Sequence, residues 1–104
     1  GTGDPEILWA IDEVIKARGA MVAVRGNTRT LLPLDCGGLM STLPYPQVAA
    51  RLSDLHKTTA LMGGIVDPFM YLSFLSLTVI PSLRITDRGL FDAAAFRDVP
   101  LFLE

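Results

Sequence analysis

Residues 67–88, DPFMYLSFLSLTVIPSLRITDR, decide how this chain is read. No charged residue lies between Asp67 and Arg84, while Phe69, Met70, Leu72, Phe74, Leu75, Leu77, Val79, Ile80 and Leu83 crowd into fifteen positions. Such density cannot face water along its whole length without forming a large apolar patch. Other elements of the chain must cover it, or a neighbouring domain or subunit must. Asp67 then Pro68 supplies an N-cap and the residue suited to the first helical position. A short helix over 68–76 fits, although the β-branched and aromatic content leaves an extended form open. Pro81 ends whatever precedes it. Beyond it, Leu83–Thr86 reads as a strand, Asp87-Arg88-Gly89 as a turn, and residues 99–103 as a terminal edge strand. The uncharged run Pro68–Leu83 is broken by Pro81 and dotted with Ser73, Ser76 and Thr78. A membrane-spanning helix needs about 20 predominantly apolar residues, so the stretch reads as soluble core.

Upstream, Asp4-Pro5 uses the same cap device. Ile7, Leu8, Ile11, Val14 and Ile15 follow at helical spacing, with Asp12, Glu13, Lys16 and Arg18 on the other face. The pattern predicts an amphipathic helix over 5–18, closed by Gly19 as the residue after its C-cap. Ala20–Val24 and Thr28–Leu32 are two β-leaning runs around Gly26-Asn27, the signature of a hairpin whose turn needs positive φ. Pro33 lacks an N–H and ends the second strand or keeps it on an edge. After the loop 35–41, Ser41 or Thr42 is placed to cap a helix over 44–62 with Pro44 and Pro46 in its first turn. Val48, Ala49, Leu52, Leu55, Thr59 and Met62 form its apolar stripe, and Gly63-Gly64 stops it. The sum is one α+β domain over 1–104, a small sheet packed against two amphipathic helices plus the short apolar segment.

Bulk composition agrees with a domain that leans on something else. Half of the 104 residues are apolar and 19% are charged, below the ~25% usual in soluble domains, although small domains have much surface to solvate. A net charge of −2 gives no footprint for nucleic acid or an anionic membrane. Asp4 and Glu6 stand where a basic leader would be expected. One cysteine, Cys36, excludes an intrachain disulfide and fits a reducing, cytoplasmic compartment.

Chemistry is sparse. His56 is the sole histidine and lies one position off the helical stripe, where a local hydrogen bond explains it better than metal ligation, which needs convergent partners. Cys36 has no evident base or helix start to activate it. Gly37-Gly38 and Gly63-Gly64 lack phosphate-loop spacing. Asp4 and Asp67 are caps by position, and Asp87 and Asp92 suit turn amides. The residues therefore offer no catalytic, cofactor-binding or metal site.

Three segments nonetheless form a specific pattern. Asp67–Leu77, Val79-Ile80-Pro81 and Leu83–Asp92, with Phe96 and Val99–Phe102 at the end and Gly38-Leu39-Met40-Ser41 upstream, resemble the C-terminal domain of bacterial adenine deaminases. The resemblance covers nearly the whole chain. Departures are Asp35-Cys36-Gly37, where that family carries Pro-Ile-Ala, and Thr78, where proline is usual. The resemblance implies a parent amidohydrolase that converts adenine to hypoxanthine and ammonia. Its binuclear divalent centre (Mn, Fe or Zn) would sit in a TIM-like barrel and activate water for attack on the purine. It further implies that this chain is a separated, non-catalytic C-terminal piece holding no cofactor itself. Its partners would be the catalytic barrel or another subunit, and an unpaired sheet edge invites a homodimer. The competing reading is a free-standing α+β interaction or ligand-binding module.

Overall fold

A computed structural model describes residues 3–102. The elements run α1 (Asp4–Ala17), β1 (Ala20–Arg25), β2 (Thr28–Pro33), α2 (Tyr45–Leu61), α3 (Pro68–Leu75), β3 (Leu83–Thr86), β4 (Gly89–Asp92) and β5 (Arg97–Asp98). They fall into two compact units, Gly1–Val66 and Asp67–Glu104. The class is α+β, but the expected small sheet is two sheets, a hairpin in the first unit and a β3-β4-β5 meander in the second.

In the first unit, Arg25 pairs with Thr28 across the two-residue turn Gly26-Asn27, and the antiparallel register runs on to Ala20 opposite Pro33. Gly26 takes φ +54, as the turn chemistry required. Successive strand residues point to opposite faces, and the two helices divide those faces between them. Arg29 meets α1: its guanidinium lies 3.0 Å from the Glu13 carboxylate and 5.1 Å over the Trp9 ring. Thr30 meets α2, where its hydroxyl is 2.9 Å from that of Thr58. Thr58 already donates to the Asp54 carbonyl at 2.9 Å, so Thr30 is the donor of the pair. Ala23, Val24, Leu32 and Leu55 form the buried core, and Leu55 is 0% exposed.

Several local expectations shift. Gly3, not Asp4, is the N-cap of α1, and Arg18 in the left-handed region is its C-cap. Ser41 and Thr42 do not cap α2, whose N-cap is Pro44. The hydroxyl and amide of Thr42 donate instead to Asp35. The largest change concerns α1. Its inner side carries Glu6, Trp9, Ala10 and Glu13, while Ile7, Leu8, Ile11 and Ile15 are exposed. Glu6 accepts from the Gly26 amide and Glu13 from Arg29. These two anchors turn the apolar stripe outward.

In the second unit, the Asp67 side chain accepts from the Met70 amide and caps α3, as its position promised. β3 and β4 pair around Asp87-Arg88, with the Thr86 hydroxyl accepting from the Arg88 amide. The expected edge strand at 99–103 is absent over its described part; the last strand is the two-residue β5. Val99 donates one more bond to the Leu90 carbonyl, and Pro100 cannot continue the ladder. Leu103 lies outside the described residues.

Candidate interaction surface

α3 is built from Pro68, Phe69, Met70, Tyr71, Leu72, Ser73, Phe74 and Leu75. Only Ser73 is strongly polar, and its hydroxyl is turned back onto the Met70 carbonyl at 2.6 Å. A helix apolar on every side belongs in the interior of a larger structure. Here Met70, Tyr71, Leu72, Phe74, Leu75, Leu77 and Val79 are all exposed, Tyr71 at 59% and Val79 at 77%. Leu83 and Ile85 on β3 are exposed as well. The stretch expected to supply the core is thus left largely exposed. No residue described in the second unit is buried, and Phe91 packs edge-to-face on Phe96 with centroids 5.4 Å apart.

Several of the residues that chemistry would need have local structural places. His56 is half-buried in α2 beside Leu55, and Cys36 is exposed in the loop, where it pairs with Met40 as an isolated bridge. Asp4 lies in the first turn of α1, Asp67 caps α3, and Asp92 accepts from the Ala94 and Ala95 amides at 2.9 Å each. Among the described residues no three of His, Cys, Asp and Glu come together to hold a metal ion. The Thr42 hydroxyl and then its amide bond the Asp35 carboxylate and hold its pKa below the ordinary 3.8. That effect is structural: it ties the two ends of the 35–42 loop.

An open groove of about 660 Å³ lies between β2 and α2, lined by Arg29, Thr30, Leu31, Arg51, Asp54, Lys57 and Thr58. Sequence spacing gave no sign of it, because its cations come from two separate elements. Each cation is already engaged: Arg29 with Glu13, Arg51 with the Leu31 carbonyl at 3.1 Å, and Lys57 with Asp54 at 3.0 Å. No helix among the described residues is long and apolar enough to cross a membrane. The exposed apolar side chains of residues 70–79 are the candidate interaction surface.

Comparison with known proteins agrees with that geometry. The chain is 64% identical over 102 residues to an adenine deaminase of Methanoregula boonei, covering 98% of this chain and 18% of the relative. It is 53% identical to one from Methanoculleus marisnigri, covering all of this chain and 20% of that protein. A third, from Salinibacter ruber, is 45% identical, with 100% and 19% covered. The chain thus spans about a fifth of the length of these relatives. No solved structure matches it significantly. The family model described as the adenine deaminase C-terminal domain matches residues 1–97, through both compact units, and the chain belongs to that family.

Proposed function

We propose that this chain serves as the non-catalytic C-terminal domain of an adenine deaminase-type hydrolase in the cytoplasm. Its task is to pack against the catalytic barrel or a neighbouring subunit. The observation that carries this reading is the exposed apolar face of residues 70–79. Fully burying one large apolar side chain is worth about 1.5–3 kcal/mol, so covering several half-exposed ones is a substantial docking energy. The family match runs through both units, which supports treating 1–104 as one domain. The parent enzyme would hydrolyse adenine to hypoxanthine and ammonia. The divalent centre this requires would be held by the catalytic barrel; among the described residues no three of His, Cys, Asp and Glu gather for it.

Two measurements test the reading. With adenine and added Mn²⁺ or Zn²⁺, the 104-residue chain should release no ammonia; steady turnover would overturn the assignment. Mixed with the remainder of the enzyme, it should form a complex that Tyr71→Asp with Phe74→Asp abolishes. A complex indifferent to both changes would place the contact elsewhere.

A further inference from the structure

Each strand of the β1–β2 hairpin has one edge facing away from its partner, and the two edges differ. Arg25–Thr28 closes the two-residue turn as a bonded pair, so alternation makes Val24–Arg29 and Val22–Leu31 non-bonded pairs whose N–H and C=O groups point outward. On β2 that edge is blocked: Arg51 occupies the Leu31 carbonyl and Pro33 has no N–H. On β1 it is open. Among the described residues no backbone group bonds the outward amides and carbonyls of Ala20, Val22 and Val24, and Ala20–Val24 carries no charge.

α1 indicates what fills this edge. Its start lies at the hairpin turn, where Glu6 holds the Gly26 amide at 2.8 Å, and its end feeds β1 through Arg18-Gly19. The helix therefore runs antiparallel to β1, and Gly3 enters it in extended backbone (φ −114, ψ 127). Trp9 and Glu13 mark the flank of α1 above Arg29 on β2. At 3.6 residues per turn, the flank on the side of the open β1 edge carries Ile7, Ile11 and Val14. Ile7 and Ile11 are exposed, which is what a sheet one strand too narrow would leave.

We propose that the open edge of β1 receives an extended segment of the same polypeptide, running parallel to β1 and leading directly into α1. That closes a β-α-β unit of the common crossover kind and covers Ile7 and Ile11. The proposal rests on the C-terminal-domain reading, because it needs residues before α1.

The test compares amide hydrogen exchange in the 104-residue chain with that in the protein expressed with every residue its reading frame places before Gly1. In the longer protein the Val22 and Val24 amides should slow on the order of a hundredfold, while Met21 and Ala23, already bonded to β2, change little. Val22→Pro, which takes away the outward N–H but no backbone bond to β2, should lower the melting temperature of the longer protein far more than that of the 104-residue chain. Unchanged exchange at Val22 in a longer protein that deaminates adenine would sink the strand and leave the domain reading standing. Slow exchange in the short chain that is lost on dilution would assign the edge to a second copy and overturn the proposal. A frame opening at Gly1 would sink both readings.

Discussion

Gly19 and Gly38 touch backbone to backbone: a Cβ placed on Gly19 would lie 2.6 Å from the Gly38 Cα and 2.9 Å from the Leu34 carbonyl oxygen. Gly19 also has φ +127, a region that side-chain-bearing residues avoid at a cost of about 1–3 kcal/mol. Gly19→Ala combines both penalties and should destabilise the first unit by more than about 2 kcal/mol in urea denaturation. Gly37, at φ +64 with nothing near its Cβ position, provides the contrast. Gly37→Asn should be nearly neutral, since asparagine tolerates that region. Equal losses at the two sites would contradict the contact.

The Thr30–Thr58 bond predicts an asymmetric pair of variants. Thr58 is buried and accepts from Thr30 while donating to Asp54. Thr58→Val strands the Thr30 donor and should cost about 1–2 kcal/mol; Thr30→Val leaves the Asp54 bond in place and should cost less, about 0.5–1 kcal/mol. The double variant should fall short of the sum in a double-mutant cycle. Strict additivity would mean the two hydroxyls do not interact.

Asp35 gives a pH dependence of known sign. Its pKa is lowered in the folded chain, first by the Thr42 hydroxyl and then by the Thr42 amide. The folded state therefore binds fewer protons than the unfolded one in this range. Its contribution is present above the ordinary carboxylate pKa and is lost as pH falls through the lowered value. Thr42→Val should move the Asp35 titration, followed by side-chain carboxyl NMR, back toward the ordinary range. The stability gap between Thr42→Val and the parent chain should then be present at pH 7 and narrow in acid. A gap that widened on acidification would reverse the assignment.

Local devices were legible in the sequence because they act within a few residues. The Gly26-Asn27 hairpin, the Asp67 cap and the Pro33 strand end needed no knowledge of partners. Misreadings arose where a distant group decided the outcome. Glu13 was placed on the outer face of α1 by periodicity, yet Arg29, sixteen residues away, draws it inward. Thr42 was a plausible cap until Asp35 claimed it. The β4 strand was hidden because Gly89 and Asp92 bracket only two apolar residues. The candidate surface was half legible: density of apolar side chains over 69–83 announced a cover, but no local rule states whether that cover lies within the same chain.

Leu55 and Phe74 put that last point to a direct test. Leu55 is fully enclosed, and Leu55→Ala removes packed volume, which costs about 2–5 kcal/mol in cores of this kind. Domains this small have total stabilities of only about 5–10 kcal/mol, so the variant should lose much of its cooperative melt by circular dichroism. Phe74 is the larger side chain and would be the costlier loss if it were core. At 42% exposed, Phe74→Ala should instead cost under about 1 kcal/mol in the 104-residue chain. Inside the assembled enzyme the cost should rise, because there the ring leaves a pocket rather than water. A large loss for Phe74→Ala in the short chain would show that residues 69–83 pack within the domain itself, and the docking role of the face would fall with it.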